Sequence, residues 1–355
     1  MPDKRNKPQT RRKRSKAADA DALPVMTATV SVAPENTSSP DAENSHADLS
    51  TCIETAAATE AAPQPSPKAS TSLPNWRAMH EAVVGLSHRN ANPPLPCQDA
   101  ALAATLPRPV VLIADGAGSS AVSEIGAQTA VTALARLLNT LDRQLAGLLD
   151  EPADSQDCAG PSQQARHFAL LLVKHARGVL EDLAAQHRRP LRDFRCTLLL
   201  LVVGETHALW LKLGDGALVC ERVITQPDGE ARTELCTLGE TGKGEYANTT
   251  QFIDEHLRPE HVQSGLLPLA GVTGLAAMSD GAAEKLIAQD GSRVAAQLQH
   301  WLQALRLGQL PRRVLTRSFY SEAFCQGSSG DDCSIALLAL DPAVASQPTQ
   351  GKQHG

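Results

Sequence analysis

The chain has 355 residues, 42% of them hydrophobic but only 3% aromatic, with a net charge of −6 from 33 basic and 39 acidic residues. That balance excludes a globally basic nucleic-acid coat and gives no support to broad electrostatic adhesion. No aromatic residue precedes Trp76, so the first 75 residues are a different material from the rest.

This leader is rich in Ala, Ser, Thr and Pro. It cannot bury enough apolar surface to offset its ordering entropy, which predicts a disordered tail over 1–75. Residues 1–16 carry eight Lys/Arg and one acid, and residues 17–75 carry eight acids and one Lys. No apolar signal-peptide core follows the basic run, so secretion is not expected. No stretch of about 18 apolar residues is present to span a membrane. The eight cysteines form no CxxC pair, which argues against a structural zinc site. Cys196 and Cys220 lie in apolar runs where a reduced, buried thiol is the default. A reducing cytoplasm is the expected setting.

From Trp76 to Asp341 the pattern predicts one folded domain of about 265 residues, followed by a second disordered tail over 342–355. His80–His88 reads as a strand, and Arg89–Pro96, with three prolines, as a loop. Val110–Ala114 is a short apolar run that suits a buried strand. Ser123–Leu149 has helical spacing, with Ser119, Ser120 and Ser123 as candidate N-caps. Gln163–His187 forms a second long helix, stopped by Pro190. Strands are then expected at Cys196–Val203, Ala208–Leu213, Ala217–Thr225 and Ala231–Leu238. Their turns, at Gly204, Gly214-Asp215-Gly216 and Pro227-Asp228-Gly229, predict adjacent antiparallel pairs. Thr249–Asp254 is a further candidate strand. Gly271–Met278 and Cys333–Leu340 are strands, with helices at Ala282–Gln289, Ser292–Leu307 and Arg312–Cys325. Long helices between groups of tightly connected strands argue for α+β layers rather than a parallel sheet.

Asp99, Asp115, Asp280 and Asp331 each lie beside a predicted strand edge. Singly, each is an ordinary turn signal. Together, acids at the ends of strands that share one edge repel one another unless cations sit between them. Hard oxygen ligands of this kind suit Mg²⁺ or Mn²⁺ rather than zinc.

Six segments occur in this order: Gly85-Leu86-Ser87-His88, Cys97-Gln98-Asp99, Ile113-Ala114-Asp115-Gly116-Ala117-Gly118, Gly214-Asp215-Gly216, Ser279-Asp280-Gly281 and Asp331-Asp332-Cys333-Ser334-Ile335. Over about residues 80–340 the chain resembles the metal-dependent protein phosphatase family, the protein phosphatase 2C type in its bacterial form. The resemblance implies a four-layer α-β-β-α sandwich of two antiparallel sheets. It implies a serine/threonine phosphatase with a phosphoprotein substrate, an opposing serine/threonine kinase, and two Mg²⁺ or Mn²⁺ ions. Asp115 would bridge both ions, the Gly116 carbonyl would bind one, and Asp280 and Asp331 would hold the other. Asp99 would ligate directly or through water. Asp332 would be a hydrogen-bonding neighbour, Asp215 a turn residue and Thr197 a structural one. The sequence departs from the family pattern at three places. Ala117 stands where the eukaryotic branch has a histidine, and Gln98 where an acid is common. Pro94 stands where an arginine grips the substrate phosphate, which leaves His88 or Arg89 as its replacement.

Two other readings compete. Gly116-Ala117-Gly118-Ser119-Ser120-Ala121 fits GxGxxA, the fingerprint of a dinucleotide-binding oxidoreductase, although no acid follows at the expected distance. A non-catalytic phosphatase-like domain that binds phosphoproteins would keep the fold without the chemistry.

Overall fold

The computed structural model describes residues 75–150, 159–226, 229–240 and 250–341. The predicted tails at 1–75 and 342–355 lie outside these, apart from Asn75.

Ten strands and eight α-helices follow one another along the described chain, with short 3-10 turns at Leu191–Phe194 and Pro259–His261. They begin with β1 (Trp76–Val83), α1 (Leu86–Arg89), β2 (Asp99–Ala104) and β3 (Val110–Asp115). Three helices come next: α2 (Ser123–Thr140), α3 (Asp142–Leu149) and α4 (Ala159–His187). Then come β4 (Leu198–Val203), β5 (His207–Leu213), β6 (Ala217–Thr225), β7 (Ala231–Leu238), β8 (Gln263–Pro268) and β9 (Val272–Met278). The chain ends with α5 (Asp280–Leu286), α6 (Ala296–Arg306), α7 (Arg312–Phe319), α8 (Glu322–Cys325) and β10 (Cys333–Leu340).

The strands form two five-stranded sheets, ordered β1-β10-β9-β6-β7 and β2-β3-β4-β5-β8. Every pairing in both is antiparallel. Alternation along the strands divides the apolar residues among three cores. Val111, Ile113, Leu199 and Leu201 meet Leu218, Leu275, Ala277 and Leu338 between the sheets. Leu112, Leu200 and Leu211 point the other way, onto Leu134 and Leu138 of α2 and Leu172 and Leu180 of α4. Val219, Ala276 and Leu337 pack on Leu298, Trp301 and Leu302 of α6 and Leu315 of α7. The result is four layers, α-β-β-α. Strands covered on both faces, such as the fully buried β4 (LLLLVV), carry continuous apolar runs.

Several local expectations are corrected. The strand expected over His80–His88 stops at Val83, because Gly85 donates its N–H to Asp332 Oδ1 at 2.6 Å and turns the chain into α1. The single helix over Ser123–Leu149 is two helices meeting at Leu141. Ser119, Ser120 and Ser123 do not cap it. The N-cap is Val122, the Ser119 and Ser120 hydroxyls accept from Arg195, and Ser123 is the first helical residue. Gly214-Asp215-Gly216 makes no hairpin: β5 belongs to one sheet and β6 to the other. Gly214, at φ +108°, lies where a Cβ would come within 2.5 Å of the Thr197 side chain, so only glycine allows this crossing. Residues 250–254 run as a loop, whereas Gln263–Pro268, not expected as a strand, is β8. The helix over Arg312–Cys325 breaks after Phe319, and the Ser321 hydroxyl accepts from Phe324 N to start α8. The antiparallel partners of β3 also remove the dinucleotide alternative, which needs a parallel strand-helix-strand crossover after the glycine-rich turn.

Candidate metal centre

Four acids reach one end of the two sheets by different routes. Asp99 opens β2 and Asp115 closes β3, and antiparallel pairing makes them direct partners. In the other sheet, Met278 at the end of β9 pairs with Ile335 of β10. That pairing brings Asp280, which opens α5, beside Asp331 and Asp332, which precede β10.

Backbone contacts fix these positions. Asp115 N–H donates to Thr197 Oγ1 at 3.0 Å, and Asp115 carbonyl accepts from Thr197 N at 2.8 Å. Gly116 N–H donates to the Gln98 carbonyl at 3.1 Å. The buried Asp332 ties the two sheets together: Oδ1 accepts from Gly85 N and Oδ2 accepts from Gln98 N at 2.5 Å. Ser87 donates its N–H and its hydroxyl to the Gly330 carbonyl, strapping α1 over the Gly330-Asp331-Asp332 turn. A Cβ on Gly85 would sit 2.2 Å from the Asp331 carbonyl, and one on Gly281 would sit 2.2 Å from the Asp332 carbonyl. Glycine at both places permits that approach.

The electrostatics are those of crowded like charges. Asp99 is pushed up to about 8, chiefly by burial and further by Asp332 and Asp280, with the Ser279 and Ser334 hydroxyls partly offsetting. Loss of water, then Asp99 and Asp280, raises Asp115 well above the usual carboxylate range. Loss of water and the charge of Asp215 raise Asp280. Neither carboxylate oxygen of Asp99, nor Oδ1 of Asp280, meets a hydrogen-bond partner of normal geometry. Buried carboxylate oxygens short of well-formed hydrogen bonds, facing other carboxylates, fit a hard divalent cation such as Mg²⁺ or Mn²⁺.

The remaining expected residues separate by role. Asp331 is exposed, whereas both oxygens of Asp332 already hold backbone N–H groups. Asp215 accepts from Thr250 Oγ1 at 2.6 Å. His88 is buried in α1: Nδ1 lies 3.0 Å from Asp332 Oδ1, at an angle that makes no hydrogen bond, and Nε2 lies 3.8 Å from Asp331 Oδ1. Ligand atoms of His88, Asp331 and Asp332 fall within 4.8 Å of one another. The Arg89 guanidinium stacks on the Tyr320 ring, 5.0 Å from its centre. Ala117 occupies the next position after Gly116 and offers no side-chain donor.

One rim residue was not foreseen. The Arg195 carbonyl accepts from Ala117 N at 3.1 Å, and its guanidinium donates to Ser119 Oγ at 2.7 Å and Ser120 Oγ at 3.1 Å. It also stacks on Phe252. A basic residue two positions before Thr197, in the extended segment leading to β4, is the signal that could have found it.

A family model described as "Protein phosphatase 2C" matches residues 84–315. Serine/threonine-protein phosphatase 3 of Escherichia coli (strain K12) is 30% identical over 188 residues, 51% of this chain and 64% of that protein. The chain therefore spans less than two thirds of the length of that relative. Among solved structures, serine/threonine phosphatase Stp1 from Staphylococcus aureus is 13% identical with a TM-score of 0.48, covering 77% of this chain and 99% of the other. PppA of Pseudomonas aeruginosa is 18% identical with a TM-score of 0.45, covering 76% and 99%.

Proposed function

The chain belongs to the protein phosphatase 2C family, and from that premise we propose that it hydrolyses phosphoserine and phosphothreonine monoesters of proteins with two Mg²⁺ or Mn²⁺ ions. The observation that carries this reading is the convergence of Asp99, Asp115, Asp280 and Asp331 at one sheet end, where both oxygens of Asp99 and Oδ1 of Asp280 are buried without a well-formed hydrogen bond. In this reading Asp115, the Gly116 carbonyl, Asp280 and Asp331 would hold the ions, and Asp99 would add a ligand directly or through water. Bound there, the ions supply Lewis acidity towards the attacking water and the phosphoryl oxygens.

The work of the chain is positioning and charge. Thr197 holds the Asp115 backbone at both its N–H and its carbonyl. Asp332 keeps the turn that presents Asp331. His88 and Arg89, on the turn strapped over that loop, are the donors assigned to the substrate phosphate. With Ala117 at the position after Asp115-Gly116, solvent is the source of the proton for the departing serine or threonine oxygen. A phosphoprotein substrate, an opposing serine/threonine kinase and a cytoplasmic setting belong to the same reading; no nucleic-acid partner does. No helix among the described residues is long and apolar enough to cross a membrane.

The test is phosphate release from a phosphothreonine peptide by the purified full chain. The expected result is turnover with Mn²⁺ or Mg²⁺, none in EDTA, and none in Asp115→Ala at unchanged fold by circular dichroism. Turnover that survives EDTA, or survives in the folded variant, overturns the metal-dependent reading.

A further inference from the structure

A second reactive group lies away from the acid cluster, on the edge strand of the first sheet. Cys220 of β6 and Cys236 of β7 are direct register partners. Direct partners in an antiparallel pair project on the same face with Cβ atoms about 4.5–5.5 Å apart, within reach of a disulfide after small adjustment. Both thiols are free, and Cys236 Sγ lies 3.7 Å from the Cys220 carbonyl. Their exposure differs: Cys220 is fully buried in the core between the sheets, whereas Cys236 is exposed.

The neighbour on that face is Arg222, diagonal to Cys236 and opposite Glu234. Its Nε is buried and has no hydrogen-bond partner. A buried guanidinium nitrogen left unpaired beside two sulfurs is a ready site for a thiolate. In keeping with this, Cys236 is lowered to about 6, first by the Cys220 thiol and further by Arg222, against burial and Glu234. The same contact and burial raise Cys220, with Arg222 partly offsetting, so the exposed Cys236 is the sulfur that a solvent oxidant reaches first. Other thiols differ: burial and nearby acids raise the half-buried Cys97 and the buried Cys333, and burial lifts Cys196 to about 12.

We propose that Cys220 and Cys236 form a peroxide-reactive dithiol, with Cys236 as the attacking sulfur and Cys220 as the resolving one. The Cys236 thiolate attacks one oxygen of hydrogen peroxide. The O–O bond breaks, the sulfur becomes a sulfenic acid, and hydroxide leaves as water with a proton from solvent. Cys220 sulfur then attacks the sulfenic sulfur. An S–S bond forms, the S–O bond breaks, and the oxygen departs as a second water carrying the Cys220 proton. In total, two thiols and one peroxide give one disulfide and two waters, and a dithiol reductant reverses the change. The disulfide would staple edge strand β7 to β6.

The test is substoichiometric peroxide on the reduced full chain, followed by alkylation and non-reducing peptide mapping. The expected result is a cross-link between the peptides containing Cys220 and Cys236, formed faster than any other thiol is lost. Cys220→Ser should give a sulfenic acid at Cys236 that dimedone traps. Arg222→Leu should slow disulfide formation several-fold with the fold intact. A map in which both thiols remain alkylatable while others oxidise overturns the proposal. So does one in which Cys236 bonds to a different cysteine, or in which Cys220→Ser leaves no trappable Cys236.

Discussion

Asp99 and Asp115 face each other as register partners across β2 and β3, the first residue of one strand against the last of the other. Like charges directly opposite in a sheet destabilise it, and here burial makes the pairing costlier. In the fold Asp99 binds its proton with a pKa of about 8, against about 3.8 in an ordinary setting. Between those values the metal-free fold holds a proton that the unfolded chain has released. Stability therefore falls as pH rises through this window, and the loss is complete above about 8. Asp115 and Asp280 shift in the same direction. Thermal melts in EDTA at pH 5.5 and 8.5 should show a smaller alkaline loss of Tm in Asp99→Asn than in the parent. Mn²⁺ should raise the parent's Tm more at pH 8.5 than at 5.5. Equal slopes for parent and variant would disprove the charge conflict.

Thr197 holds Asp115 from the adjacent strand through its hydroxyl. Thr197→Val keeps the β-branched shape and removes that acceptor, leaving the Asp115 N–H unpaired. The expected cost is about 1 kcal/mol of stability. Groups that orient metal ligands typically lower affinity or turnover by roughly tenfold or more when removed. Calorimetric Mn²⁺ titration of the variant should show weakened binding at a Tm only a few degrees lower. Unchanged metal affinity would reduce Thr197 to a packing residue.

Asp331 and Asp332 are adjacent but should respond oppositely to the same change. Asp332→Asn turns one acceptor into a donor aimed at the N–H of Gly85 or Gln98. It should cost about 1–3 kcal/mol of stability, as buried unsatisfied groups do. Asp331→Asn, at an exposed carboxylate, should leave Tm nearly unchanged while weakening Mn²⁺ binding. Chemical denaturation of both variants beside metal titration separates the two roles. A fold-neutral Asp332→Asn would contradict the scaffold assignment.

The legible parts of this fold are those whose environment is one-sided or extreme. The run Leu198–Val203 announced itself because both faces are covered. Asp115 and Asp280 were visible because an acid followed by glycine is a poor continuation of an apolar strand. By contrast, β8 reads QSGLLP, half-buried and broken by glycine and proline. The break at Leu141 carries neither residue, so the periodicity runs through it unchanged. The β5–β6 crossing looks like a hairpin in sequence because its glycines serve close approaches, Gly214 to Thr197 and Gly216 to the Met278 carbonyl, made only in three dimensions. His88 beside Asp332 and Arg195 along the Ser119–Ser120 turn were hidden for the same reason: their partners lie far away in sequence.

The proposed substrate-phosphate donors can be separated by kinetics. Arg89 stacks on Tyr320 and has no carboxylate partner among the described residues, so its guanidinium keeps donors free for a substrate phosphate. His88 lies between Asp331 and Asp332, so its loss alters the acids as well as any donor to substrate. Arg195 lies beside Ala117, its carbonyl accepting from Ala117 N and its guanidinium donating to two serine hydroxyls. Arg89→Ala should therefore raise KM for a phosphothreonine peptide severalfold with metal affinity intact. His88→Ala should change both KM and the Mn²⁺ requirement. Arg195→Lys loses the forked contact to Ser119 and Ser120 while keeping the charge. If Arg195 only supports the Ala117–Ser120 turn, Arg195→Lys should lower Tm and leave KM alone; if it meets the phosphate, KM rises. Steady-state kinetics at saturating Mn²⁺, with Tm measured on the same samples, reads all three. An Arg89→Ala enzyme with parental KM would remove that arginine from phosphate binding.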